Sequence, residues 1–564
     1  MKRKSTIRAA FYLLVIAAAG LAVYLNSLGG EFHWDDRHFI VDNVYLRDWS
    51  YLPEIFTGDV AAGSGGRYNY YRPLTTFTYL IDYTLWELNP QGYHLAGILY
   101  HLLVAAALFY LVRLIFGDLL LSFLTALLYV VHPVHTETVA YVSGRPDSLC
   151  ALFMLLSFIM YVKYLAHGRP LQFILMAVSF AGAILSRENS VVLPLLLLVY
   201  HLAFRVKLRP LPFLSIALSA AAYVIVRWQL AAPAAAAPPL PERIPGFFAS
   251  IFEYLRLLVL PLHLHQEYGV GDYCFSDATV IAGAAIMAAA LLLCFRLARM
   301  GATEEGRGGR GPAPGRIVLF SLLWFFAALL PYSGVYPIRA YMAEHWLYVP
   351  SIGLFLVAAY GLSLLYRSRC PKAISTAGIA ALLLLYGSLT IAQNTYFSDP
   401  LTFYERTVRY SPWSARIRNN LAIQYYRAGR IDEAEEQFRK AIEIDPLYPE
   451  ASNNLGHLYY ARGRNEDARA LYLRAIGINP RYAEAYCNLG VLCVTTGNPD
   501  EGLAHFQKAV ELNPLDADAF FNLGLALRMK GREGEALSAF SRALRLDPAH
   551  GPARRQIAPT APRR

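Results

Sequence analysis

Two adjacent carboxylates, Asp35 and Asp36, stand at the far mouth of the first apolar stretch, within Glu31-Phe32-His33-Trp34-Asp35-Asp36-Arg37. Ala9 to Leu28 supplies about 20 nearly uncharged positions, enough to cross a hydrocarbon core of ~30 Å. A carboxylate fixed at a membrane–water boundary can accept a proton from a hydroxyl nucleophile, as sugar transfer from a lipid-linked donor requires. The plainer reading is a solvated loop start. The long aromatic loop and the many apolar segments that follow favour the chemical one.

The elements that must carry this pair are helices. The chain has 564 residues, 56% hydrophobic and 16% charged, the balance of a membrane protein with a soluble part attached. Charge density rises after Asp399. The formal net charge of +10 could suggest nucleic acid, but the basic residues cluster in short loops between apolar segments, as the positive-inside rule requires. Nucleic acid is therefore excluded as a partner, and membrane lipid is expected. Basic Lys2, Arg3, Lys4 and Arg8 precede a long apolar run without a small-residue cleavage site, so an uncleaved anchor with a cytoplasmic N-terminus is expected. Cys487 and Cys493 are six apart on different faces of one helix, no CxxC occurs, and the cysteines show no metal-ligand spacing. No metal or cofactor is expected.

Apolar runs predict about eleven spans, at 9–28, 93–116, 118–133, 148–166, 170–185, 190–204, 211–228, 277–298, 317–332, 348–366 and 373–393. Residues 29–92 form the first outer loop, in which Pro73 to Trp86 reads as an interfacial helix because it is short and carries Asp82. Residues 247–262, interrupted by Glu253 and Arg256, read as re-entrant or interfacial, between a Pro/Ala-rich linker from Ala231 to Pro245 and the eighth span. The Gly/Arg-rich loop from Arg299 to Arg316 falls inside. An odd count puts the C-terminal part on the side of Asp35 and Asp36.

After Asn394 a period of 34 appears. Pro412, Pro446, Pro480, Pro514 and Pro548 keep it, as do Gly429, Gly463, Gly497 and Gly531, and Phe438, Tyr472, Phe506 and Phe540. This is the tetratricopeptide repeat, a helix–turn–helix unit that stacks into a superhelix. Four full repeats are expected over 415–550, with a partial repeat or linker at 396–414 and a disordered tail at 551–564. Small Ala422, Gly456, Gly490 and Gly524 let paired helices approach. Asn420, Asn454, Asn488 and Asn522 form a ladder on the first helices. An amide with two donors and an acceptor can bind the backbone of an acceptor peptide, or can serve contacts between helices. Both readings stand.

The fold class is thus all-α, a polytopic membrane bundle over 1–395 followed by a repeat superhelix. The order of motifs resembles the transmembrane and TPR-repeat-containing O-mannosyltransferase family, membrane glycosyltransferases of the GT-C type. The resemblance rests on Trp34-Asp35-Asp36, Tyr71-Arg72-Pro73-Leu74, Gly92-Tyr93-His94-Leu95 with His101, His132-Pro133-Val134-His135-Thr136-Glu137, Gly144-Arg145, Arg187-Glu188-Asn189 and Ala343-Glu344-His345-Trp346-Leu347-Tyr348-Val349-Pro350-Ser351. Two positions depart: Arg187 stands where Lys is expected and His345 where Arg is expected. No Asn-x-Ser/Thr sequon occurs, and with the compact loops this implies a bacterial relative with periplasmic repeats.

The resemblance implies a polyprenyl-phosphate-linked sugar donor, mannose foremost, a protein hydroxyl acceptor, and a single inverting displacement at the extracytoplasmic face. Asp35 is the implied base, with Asp36 positioning it or sharing the role. Arg145, Arg187, Arg339 and His345 are candidates for the departing phosphate, which suits the planar fork of arginine. Each arginine could instead anchor to lipid headgroups. Glu137 and Glu188 read as orienting the arginines, with Arg72, Glu344 and Tyr348 in support. His132 and His135 read as hydrogen-bonding loop residues or metal ligands. Two rival classes remain, a non-enzymatic repeat scaffold for envelope assembly and an O-antigen-ligase-like oligosaccharyltransferase. The early acidic pair and the short late outer loop favour the first class over both.

Overall fold

The computed structural model describes residues 2–66, 68–230, 239–269, 273–300, 314–336 and 340–557. Residues 231–238 of the expected linker, most of the Gly/Arg-rich loop, Arg339 and the last residues of the tail lie outside them, and the linker's last residues, from Leu240, are helical. Every regular element among the described residues is helical. The chain forms two compact units. The first comprises Met1–Phe32, Leu52–Val60 and Asn69–Asp399, the second His33–Tyr51, Ala61–Tyr68 and Pro400–Arg564.

In the first unit, starts and stops follow local chemistry. Pro73, Pro90 and Pro170 each open a helix, where a missing N–H is not needed. Gly117 and Gly168 close helices in the left-handed conformation. Between helices in lipid, close packing replaces the hydrophobic effect. Gly353 provides it, since a Cβ there would lie 2.3 Å from the Ser321 carbonyl oxygen, so the helices Pro314–Leu329 and Ser351–Arg367 touch backbone to side-chain-free backbone.

Seven helices are long and apolar enough to cross a membrane, and an eighth span arises if the bent pair Leu119–Val131 and Pro133–Ala140 counts as one. The difference from the expected count lies in three shorter apolar helices, Pro170–Ser186, Glu188–Phe204 and Ser351–Arg367. The 17 residues of Pro170–Ser186 rise about 26 Å, short of a ~30 Å core. Residues 247–259 belong to one helix, Leu240–Val259, which buries Ile251, Tyr254, Leu257 and Leu258 on one side, and 260–262 follow its end. At one end of the bundle the helix termini and short loops carry Arg113, Lys163, Arg205, Arg209, Arg299, Arg367 and Lys372.

The second unit contains the helix Pro400–Tyr410 and four helix pairs running from Ala415 to Leu546. Gly429, Gly463, Gly497 and Gly531 take positive φ at the turn inside each pair. A Cβ at Gly524 would lie 2.6 Å from the Phe540 ring, the steric reason for a small residue there. The expected disordered tail needs correction. Gly551–Ile557 is a helix, with Ala553 buried and Arg528 bonded to Gln556. It covers the apolar end that the last repeat would otherwise expose.

Candidate active site

Arg187 follows the last residue of the helix Pro170–Ser186, in extended backbone. Asp147 lies in the first turn of Arg145–His167. These antiparallel neighbours bring the two side chains together at one end of the bundle, where an Arg187 nitrogen donates to the Asp147 carboxylate. Arg187 is buried, and its Nε–H has no partner among the described residues. The pair lines a small cavity shared with Cys150, Asn189, Tyr332 and His345. Asn189 donates to the Tyr332 hydroxyl, and Tyr332 stacks on Trp346 with ring centres 4.6 Å apart.

His345 enters the cavity from the turn before Ser351–Arg367. Its backbone N–H donates to Glu137 Oε2 at 3.0 Å, and its Nδ1 bonds the same carboxylate. A carboxylate on Nδ1 fixes the ring and leaves Nε2 as its other polar atom. Gln266 also donates to Glu137, at 2.8 Å. Glu137 therefore orients His345, where an arginine was expected. Glu188 does hold an arginine: Arg72 donates to it through Nε at 3.1 Å and a terminal nitrogen at 2.8 Å. Glu344 accepts from the His265 amide and the Tyr268 hydroxyl. Burial, then the neighbouring Glu344, pushes the Tyr268 phenol well above its ordinary range, so it stays a donor. These bonds tie the segment after Leu240–Val259 to the turn that carries His345.

Arg145 is committed elsewhere. It is 1% exposed, ion-paired with Asp82 at 2.5 Å, and bonded to Thr78 and the Tyr93 carbonyl, with the Tyr79 ring 4.6 Å from the guanidinium. A buried cation needs such partners. This one locks the helix Pro73–Trp86 to the bundle and does not line the cavity. Arg339 lies outside the described residues. His132 accepts from the Val134 N–H and bonds the Leu258 carbonyl oxygen. His135 is buried among Tyr129, Tyr348 and Phe355, and neither of its ring nitrogens has a hydrogen-bond partner among the described residues. Tyr348 bonds His101 Nδ1 through its hydroxyl at 2.7 Å. Among the described residues, neither His132 nor His135 belongs to a three-ligand cluster. The cluster found there is Cys493, Glu501 and His505, in the repeats, where Glu501 already pairs with Arg469 at 2.7 Å.

The acid pair belongs to the second unit. Asp36 is fully buried and accepts the His33 N–H at 3.1 Å, closing its own turn. Asp35 is half-buried, and its carbonyl accepts the Phe39 N–H at 2.9 Å. The ladder asparagines reach back one repeat. Asn454 donates to Asn419 at 2.9 Å, Asn488 to Asn453 at 3.0 Å, and Asn522 to the Cys487 sulfur at 3.5 Å. Asn420, the first rung, donates to the Tyr404 hydroxyl at 3.4 Å.

Residues 73–228 match the family described as dolichyl-phosphate-mannose-protein mannosyltransferase, a stretch that supplies Asp82, Glu137, Arg145, Asp147, Arg187 and Glu188. Tetratricopeptide-repeat families match 422–461, 456–497 and 487–550. A protein O-mannosyl-transferase of Caenorhabditis elegans is 28% identical over 461 residues, covering 78% of this chain and 63% of its own. Protein O-mannosyl-transferase TMTC3 of Mus musculus is 26% identical over 474 residues, covering 77% and 51%. Over most of its length the chain is similar to these protein O-mannosyl-transferases. It spans between half and two thirds of the length of these curated relatives. Among solved structures, the crystal structure of MamA is 26% identical, with a TM-score of 0.24, covering 26% of this chain and 86% of that one.

The sequence reading assigns no role to Asp147, Asn189, Tyr332 or Gln266. Asp147 stands two residues beyond Arg145, and its neighbour on the next helix is Arg187. The signal was present as a second charge of opposite sign at the same predicted membrane boundary. Tyr332 and Gln266 carried no signal, because their partners lie more than a hundred residues away.

Proposed function

We propose that this chain is a membrane glycosyltransferase that moves a hexose, mannose foremost, from a polyprenyl-phosphate-linked donor to a hydroxyl of a protein acceptor. The reaction runs at the extracytoplasmic face as one displacement with inversion. The observation that carries this reading is the cavity with Arg187 at its wall. Arg187 is oriented by Asp147 yet keeps an Nε–H to spare, which suits a phosphate that gains charge as the sugar leaves. His345, held through Nδ1 by Glu137, directs its other nitrogen to the same anion. Arg72 with Glu188 braces the turn that carries Arg187. Arg145, whose Nε–H likewise has no partner among the described residues, is left out of phosphate binding because it does not line this cavity.

Asp35 acts as general base. It is the half-exposed member of the pair, while Asp36 is buried and spends an oxygen on the His33 amide. The basic opposite end of the bundle faces the cytoplasm by the positive-inside rule, which leaves the cavity and the repeats outside, in the periplasm of a bacterial cell. The names of the relatives and of the matched mannosyltransferase family support the reaction class.

The test is purified full chain in nanodiscs, with polyprenyl-phosphate-mannose, the glucose analogue and a serine/threonine-rich protein acceptor. Mannose is expected on the acceptor in the anomeric configuration opposite to that of the donor. Asp35→Asn keeps shape but cannot take the proton, and should lower turnover by roughly 10² to 10⁴ with donor binding intact. Absence of transfer from either donor would sink the proposal. Wild-type turnover in Asp35→Asn would remove Asp35 as base.

A further inference from the structure

Trp34, the residue before the acid pair, has φ of 56°. That left-handed conformation is rare for a bulky side chain and persists only where the surroundings over-determine it. Within the second unit the surroundings come from the helix Pro400–Tyr410 and the first helix of the repeats, Ala415–Arg427. The Tyr404 hydroxyl accepts the Trp34 N–H at 3.1 Å. The indole stacks on the Tyr404 ring at 13°, with centres 6.0 Å apart, and meets the Phe403 ring edge-on at 5.8 Å. The Arg416 guanidinium lies 4.4 Å over the indole, a cation–π contact. His33 packs on Phe403 as well, at 4.7 Å. Asn420, the first rung of the ladder, donates to the Tyr404 hydroxyl that holds Trp34.

Further contacts follow the same loop across the repeats. Arg37 pairs with Asp42 and lies in the field of Glu484 and Tyr482. Gly65 sits so close to Asn513 that a Cβ would come within 2.3 Å of its side chain. The loop residues 33–51 and 61–68 are thus built into the repeat unit.

We propose that the repeat unit is a positioning device for the loop that bears Asp35 and Asp36, with Tyr404 and Arg416 as positioning residues that hold Trp34 in its left-handed conformation and so set the direction of both carboxylates. The repeats then act on the chemical step as well as on whatever they bind. This rests on the reading of Asp35 as general base.

The test uses full chain in nanodiscs, with two readouts. Hydrogen exchange of peptides covering 33–42 reports the clamp, and steady-state mannosyl transfer reports the chemistry. Tyr404→Phe combined with Arg416→Ala should speed exchange in 33–42 while the repeats over 415–550 keep their protection. Turnover should fall roughly 10- to 10²-fold, the scale of a small misplacement of a catalytic group, with donor and acceptor KM within about twofold of wild type. Arg416→Lys, which keeps a cation over the indole, should recover most of the loss seen in Arg416→Ala. Unchanged exchange in 33–42 overturns the clamp. Faster exchange with unchanged turnover, while Asp35→Asn is inactive, overturns the coupling and leaves the base assignment standing. If Asp35→Asn is fully active, the base assignment fails by itself, and a turnover loss in the clamp variants then keeps positioning of the loop while its absence ends it.

Discussion

Arg187 and His345 are each held by a carboxylate from another element, Asp147 and Glu137. A cation proposed to meet a phosphate cannot be left to swing, and a buried one cannot be left unpaired. At Arg187 the two demands are met together, because the carboxylate takes one nitrogen and Nε remains. Arg187→Ala should therefore weaken both the donor complex and the chemical step, lowering kcat/KM by roughly 10² to 10³, the scale of one lost oxyanion donor. Arg187→Lys retains charge but loses the fork, and should fall between. Donor affinity measured by inhibition with a polyprenyl phosphate separates the two steps. Wild-type kcat/KM in Arg187→Ala would remove it from the site.

At the scale of elements, the Arg145–Asp82 pair tests whether a charged side chain at a helix end serves chemistry or architecture. Asp82→Ala leaves the guanidinium buried without its counter-charge, which costs about 3–5 kcal/mol. The expected result is a large drop in melting temperature in detergent. The apolar double variant Asp82→Leu with Arg145→Met removes both charges and should recover most of that stability and retain mannosyl transfer. A stable but inactive double variant would return Arg145 to phosphate binding. The repeat helices pose a parallel question. Each inter-repeat bond from Asn454 and Asn488 is worth about 0.5–1.5 kcal/mol net, so Asn454→Ala with Asn488→Ala should lower the repeat unit's melting point. If the ladder also grips acceptor backbone, acceptor KM should rise for a long protein while turnover on a short peptide survives. Unchanged KM on the long acceptor would leave only the structural role.

At the scale of the whole molecule, native cysteines report topology without new mutations. Cys274 is exposed, Cys370 is partly exposed, and the other four are buried. Cys274 lies in the segment expected outside and Cys370 in a basic loop expected inside. A membrane-impermeant maleimide applied to intact cells should label Cys274 and spare Cys370 until the membrane is opened. The reverse pattern would invert the bundle and put its cavity end in the cytoplasm.

Periodicity and composition are local quantities, and they settled what is local. The 34-residue step by itself puts every helix pair of the repeats in register, because each turn needs a glycine and each close approach a small residue at the same place. Runs of apolar residues located the bundle helices to within a few positions, since a backbone in lipid must bond to itself. Paired charges at helix ends were visible as residues but not as pairs. Nothing within reach of Arg145 along the chain distinguishes Asp82 from Glu137 or Glu188 as its partner. Those choices depend on which helices stand side by side, a matter of packing among surfaces far apart in sequence. The same holds for the acid-pair loop. Read in order, it follows the first span and looks like part of the membrane half. Stacking of Trp34 on Tyr404, 370 residues later, joins it to the unit that holds the repeats, because a left-handed tryptophan persists only where a second surface is shaped to hold it.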